Sequence, residues 1–189
     1  MIWMFFVKKQ KHIRITSLPK IYSKGLISLG ERVRLWDNVK LKVGKNGRLL
    51  IKDGVSMGSN ISITVPDNEF VVIGCQSRIN DDVKIIDRVT IGENVVLANG
   101  VQLISFSHQL LNSNMTVDEA DKEFGIIKNE LIIEDGVFLG AQALLFGACI
   151  IGSYSTVGAG VVLSNKTFPS NYIIYSPNNF RKKKQRNED

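Results

Sequence analysis

The sequence predicts an all-β fold, a parallel β-helix wound as a three-sided prism, and three observations carry that expectation. From Ile133 an aliphatic residue returns every six positions, at Ile133, Leu139, Leu145, Ile151, Val157 and Leu163. Four residues after each stands a small one: Val137, Ala143, Cys149, Ser155, Val161 and Thr167. A second block with the same beat starts at Ile73 and reads IGCQSR, INDDVK, IIDRVT, IGENVV, LANGVQ and LISFSH, with Ser77, Val83, Val89, Val95, Val101 and Ser107 at the small position. An α-helix repeats its faces every 3.6 residues and a strand every two, so six fits neither alone. Two strand alternations plus a corner do give six. A large inward side chain followed by a small inward one builds a narrow column. Three hexapeptides make one turn, and turns stack as parallel strands about 4.8 Å apart. Gly, Asn and Asp between the inward positions supply corners with positive φ.

Taken in chain order, residues 1–28 show no repeat and are expected to form an irregular or short helical cap. The column is expected over residues 29–176. LGERVR and LWDNVK open it at Leu29 and Leu35, and IKDGVS and MGSNIS follow from Ile51 and Met57. From Leu41 to Ile51, and again from Ile63 to Ile73, the spacing is ten. These stretches hold "VGKNGR" and "VPDNEF", read as corner loops bulging from a continuous prism. The largest interruption is "QLLNSNMTVDEADKEFGIIKNEL", residues 109–131, directly after His108. A loop that long inside a compact repeat body tends to be functional. Residues 177–189 form a basic tail.

Composition narrows the classes. At 189 residues with 44% hydrophobic residues and four prolines, the chain suits one packed domain. The net charge of +6 is concentrated at the ends, in Lys8, Lys9, Lys11 and Arg14 and in Arg181, Lys182, Lys183, Lys184 and Arg186. Such ends serve as solubilising tails, as contacts to anionic lipid, or as contacts to a phosphorylated ligand. The body lacks interleaved aromatic and basic residues, so nucleic acid is not an expected partner. The opening "MIWMFFVKKQ" has seven apolar residues where a membrane span needs about 20, and its flank order is wrong for a signal peptide. A cytoplasmic protein is expected. Cys75 and Cys149 have neither metal-ligand nor disulfide spacing, and Cys149 falls at a small inward position.

The repeat, together with "VFLGAQALLFGACIIGSYSTVGAG" and "SFSHQ", resembles the left-handed β-helix, hexapeptide-repeat acyltransferases over roughly Leu29 to Lys182. Within that family it looks most like the xenobiotic and galactoside acetyltransferase branch and its polysaccharide O-acetyltransferase relatives. The resemblance implies a homotrimer with sites between neighbouring prisms and acetyl-CoA as co-substrate. It implies His108, ahead of the long loop, as general base. It places Ala141 and Ala159 along the pantetheine arm and Ser164, Asn165 and Lys166 at the adenine end. Phe138 stands where relatives often carry Trp. "YSPNNFRKKK" departs from the usual terminal pattern, which moves the expected CoA phosphate contact to Arg181 or Lys182.

The chemistry suits those residues. Acyl transfer from a thioester to a hydroxyl needs proton removal, oxyanion stabilisation and positioning, and histidine titrates near neutrality. His12 lies among lysines and is expected to be solvent-exposed, leaving His108. The group orienting its imidazole is left open between a backbone carbonyl and Asp118, Glu119, Asp121 or Glu123. The expected function is O-acetylation of a sugar or glycan in surface polysaccharide synthesis, with a contact to anionic membrane through the basic ends. N-acetylation of an amino sugar or nucleotide sugar is the alternative, although no Gly-rich βαβ unit is present. No metal is expected, because zinc-binding relatives of this fold use three histidines and the repeat region holds one.

Overall fold

The structure, a computed structural model, describes residues 12–108 and 115–183. Three walls of short parallel strands enclose one apolar core over about seven turns. The first wall stacks Arg14–Ile15, Arg34–Leu35, Ser56–Met57, Arg78–Ile79, Val96–Leu97, Phe138–Leu139, Thr156–Val157 and Tyr172–Ser176. The second stacks Lys20–Ser23, Lys40–Val43, Ser62–Val65, Lys84–Ile86, Gln102–Ile104, Leu144–Phe146 and Val162–Ser164. The third stacks Leu26–Leu29, Arg48–Ile51, Phe70–Ile73, Val89–Ile91, Leu131–Ile133, Cys149–Ile151 and Thr167–Phe168.

The six-residue beat has the cause expected of it. Ile79 pairs with Leu97, and Leu139 with Val157, each eighteen residues on, which is three hexapeptides per turn. Ile133, Leu139, Leu145, Ile151, Val157 and Leu163 are all buried. Full burial of such a side chain is worth about 1.5–3 kcal/mol, but a single coil has no second layer to bury it against. Stacking supplies that layer, so stability comes from neighbouring coils. The corners are tied by side-chain ladders. Asp53, Asp67, Asp81 and Asp135 each accept a backbone N–H from the preceding coil, at 2.7–2.8 Å. Asn38, Asn46, Asn60 and Asn68 hold positive φ, and side chains bond up the column: Asn38 donates to Asn60, Asn60 to Asp82 and Asn46 to Asn68.

Four expectations need correction. The N-terminal stretch is not an irregular cap: from Arg14 to Leu29 it forms a coil whose strands pair in register with those of the next coil. Ile15, Ile21 and Ile27, themselves six apart, pack against the core. The four extra residues at "VGKNGR" and "VPDNEF" do not bulge separately. They lengthen the flanking strands and stack on each other, Lys45 on Asp67 and Asn46 on Asn68. The last hexapeptide of each block slips: Ser105 rather than Ser107, and Phe168 rather than Thr167, turn inward. Finally, the basic tail begins as structure. Asn179–Lys182 returns antiparallel to Tyr172–Ser176, with Phe180 edge-on to Phe168 at 5.3 Å. Of the basic ends, Lys8, Lys9, Lys11, Lys184 and Arg186 lie outside the described residues, as do residues 109–114 of the interruption.

Candidate active site

One step between coils of the first wall is far longer than the rest. Leu97 pairs with Leu139, forty-two residues on, because residues between Ile104 and Leu131 leave the walls as an arm. The arm starts at the corner between the second and third walls. Phe106–His108 runs antiparallel to Ile126–Lys128, with His108 opposite Ile126. Between these strands lies a helix, Val117–Phe124. Its start is fixed by a capping box: Thr116 Oγ1 accepts from the Glu119 N–H, and the Thr116 N–H donates to Glu119 Oε2 at 2.8 Å. Gly125, at φ 76, ends it and turns the chain back.

That helix delivers the partner of the imidazole. Asp121 Oδ1 and Oδ2 lie 3.0 and 2.9 Å from His108 Nδ1. A carboxylate can only accept, so Nδ1 carries a proton, and in the neutral ring the lone pair falls on Nε2. The side chains of His108 and Asp121 are 42% and 22% exposed, so the pair is held at the surface. Phe106 meets the imidazole edge-on, with ring centroids 5.7 Å apart. Of the four acids named as candidates for orienting His108, Asp121 does so. His12 is exposed.

The root of the arm is anchored by buried charge that sequence reasoning missed. Glu69, 3% exposed, accepts from Arg88 Nε at 3.0 Å and from Lys128 Nζ at 2.9 Å. Burial pushes the Glu69 carboxyl up, but the hydrogen bonds and charges of Lys128 and Arg88 outweigh it and hold the group below its ordinary value. Lys128 lies opposite Phe106, two residues from His108, so the ion pair staples the arm's returning strand to the third wall. Residues 69, 88 and 128 are far apart in the chain, and only the fold brings them together.

The other candidate residues fall at two corners of one wall. Ala141 and Ala159 are stacked one coil apart where the first wall passes into the second, and Gly160 N donates to Ala141 O at 2.8 Å. The corner is tight: a Cβ on Gly140 would stand 2.5 Å from Ala159 N. Ser164, Asn165 and Lys166 lie where the second wall passes into the third, the corner from which the arm leaves. Asn165, at φ 48, accepts from Ala148 N at 3.0 Å. Lys166 Nζ donates to Pro177 O and lies over the rings of Phe168 and Phe180, so it binds down the C-terminal hairpin. On that hairpin Arg181 Nε donates to Tyr175 Oη at 3.0 Å, and Lys182 is exposed. Burial pushes the Cys149 thiol up to about 11, so it is an inert core group. Among the described residues no three His, Cys, Asp or Glu side chains converge as a metal site requires.

Comparison with known proteins agrees with this architecture. The family description for bacterial transferase hexapeptide, six repeats, matches residues 70–105. A Schizosaccharomyces pombe protein whose name proposes an acetyltransferase is 34% identical over 89 residues, covering 47% of this chain and 40% of its own length. The chain spans less than half the length of the curated relatives it matches. Among solved structures, the polysialic acid O-acetyltransferase OatWY aligns with a TM-score of 0.67 at 19% identity, over 91% of this chain and 84% of its own. The N-acyltransferase AntD from Bacillus cereus, in complex with dTDP and coenzyme A, aligns at 0.56 and 18% over 94% and 84%. The hexapeptide repeat is thus matched at the centre of the chain, and the winding of the described column is the fold of these solved structures.

Proposed function

We propose that the protein transfers an acetyl group from acetyl-CoA to a hydroxyl of a sugar or glycan, in the cytoplasm, for surface polysaccharide synthesis. One observation carries the reading: His108, oriented through Nδ1 by Asp121, leaves Nε2 as a free base on an arm rooted at the column corner. In this scheme Nε2 takes the proton of the acceptor hydroxyl as its oxygen attacks the thioester carbonyl. The C–S bond then breaks, and the CoA thiolate leaves with the proton from the imidazolium. Cys149 has no part, because a buried, neutral thiol is a poor nucleophile.

Acetyl-CoA is proposed along the second wall, with Ala141 and Ala159 against the pantetheine and Ser164 and Asn165 toward the adenine. Lys166 sets the hairpin that carries Arg181 and Lys182 to the CoA phosphate. A homotrimer is proposed as the working unit. Its support is an outward aliphatic stripe on the third wall, Leu50, Val72, Ile132 and Ile150, stacked in register around Thr90. The basic termini are proposed to keep the enzyme near anionic lipid at the inner membrane. The likeness to a polysialic acid O-acetyltransferase supports the hydroxyl acceptor, and the likeness to AntD supports the alternative, an amino sugar or nucleotide sugar acylated on nitrogen.

Purified protein mixed with acetyl-CoA and a panel of neutral sugars, amino sugars and oligosaccharides, scored for CoA release, tests the reading. Release with hydroxyl acceptors is expected. Release with amino sugars alone selects the alternative, and none with any acceptor rejects both.

A further inference from the structure

The second wall has an outward face with no acid in it. Its strands read KIYS, KLKV, SITV, KII, QLI, LLF and VLS. Over the first four coils that face carries Lys20, Lys40, Lys42 and Lys84, all exposed. Lys20 and Lys40 are register partners on adjacent strands, as are Arg14 and Arg34 on the neighbouring wall. Adjacent strands stand about 4.8 Å apart, and like charges directly opposite destabilise a sheet. Among the described residues none of these cations lies in an ion pair that would offset that repulsion. Residues 12–60 hold ten basic residues against three acidic ones.

Large apolar side chains are exposed in the same coils. Leu18 (79% exposed) and Trp36 (52%) stand in corner segments between the first and second walls, and Tyr22 (65%) lies on the lysine face itself. We propose that this surface, the lysine face of the second wall with its rim of Leu18, Tyr22 and Trp36, docks on an anionic lipid membrane. The cations meet phosphate headgroups, and the aromatic and aliphatic side chains enter the interface beneath them. Two features favour lipid over an anionic polymer. The face is an open sheet with no flanking wall to hold a single strand of polymer. Leu18, on a convex corner, gains by insertion and nothing by contact with a hydrated chain. The inference deepens the membrane part of the proposed function by giving the folded column the larger share of a contact to which the termini add, and it stands independently of acyl transfer.

The experiment is vesicle cosedimentation of the full chain. Neutral phosphatidylcholine vesicles are compared with vesicles containing one-third phosphatidylglycerol. Binding to the anionic vesicles alone is expected, weakening as salt rises. The triple variant Lys20→Glu, Lys40→Glu, Lys42→Glu should bind about tenfold or more weakly. A variant reversing Lys8, Lys9 and Lys11 at the terminus should retain the larger part of the affinity. A Trp3→Phe protein leaves Trp36 as the single tryptophan, and its emission should shift to the blue on anionic vesicles. Undiminished binding by the triple variant would assign the anchor to the termini and overturn the proposal. So would an unshifted Trp36 spectrum with bound vesicles, or capture by an anionic polysaccharide without any by vesicles. Hydroxyl acylation in the CoA-release assay is read separately, so either result stands without the other.

Discussion

Asp87 is the residue at which the fold carries an unrelieved cost. It is buried, it holds φ 74, and its Oδ1 finds no protein hydrogen-bond partner among the described residues. Burial raises its pKa and the nearby Glu69 charge raises it further, against the opposing pull of Lys128 and Arg88. A carboxyl raised on folding binds its proton more tightly in the folded state, so its ionisation costs stability as pH climbs through the ordinary carboxylate range. Glu69 works in the opposite sense. Its pKa is lowered, so the stability it contributes is present above the ordinary carboxylate value and is lost as pH falls through the lowered one. Asp87→Asn keeps a residue type that tolerates positive φ while removing the charge. It should raise stability at pH 7 by about 1 kcal/mol in urea denaturation, with the gain fading as pH falls through the raised pKa and absent below the ordinary carboxylate value. A loss of stability at pH 7 would show instead that the Asp87 charge is needed by Lys128 and Arg88.

At the scale of the element, the arm makes the site, and only part of it was legible. His108 stood out because it is the one histidine of the repeat and precedes the long interruption. The helix left its signal, Thr116 followed three residues later by Glu119, with Gly125 after Phe124. The six-residue period hides that signal, because against it every segment that breaks the beat reads as loop. Which acid meets the imidazole could not be read, since Asp118, Glu119, Asp121 and Glu123 differ only in which face of the helix they occupy. The fold settles it: Asp121 bonds the ring, and Glu119 is committed to the capping box. Asp121→Asn should therefore lower kcat about tenfold by loosening the ring and its tautomer, with CoA affinity unchanged. Asp118→Asn, which removes no bond to the ring, should leave both values as they are. Equal losses from the two variants would assign the effect to general loosening of the helix.

For the whole molecule, the prism was legible because its repeat is enforced at every rung by the same packing rule. The limits of the column were not. Its first coil keeps Ile15, Ile21 and Ile27 at the same spacing, but its first corner, Thr16 to Pro19, lacks the Gly, Asn and Asp of later turns, so the beat is hidden there. The slip to Phe168 was invisible for a different reason: its cause is a hairpin packing back through Phe180. Contacts between copies leave no mark in one chain beyond an outward aliphatic stripe. The central claim is that this column exists to hold one oriented imidazole beside a thioester. Acceptor-dependent CoA release by His108→Ala, measured alongside its affinity for CoA, tests that most directly. The account expects the rate to fall by about 10²–10⁴-fold with CoA affinity and melting temperature preserved. A variant that turns over within twofold of the parent chain would contradict it.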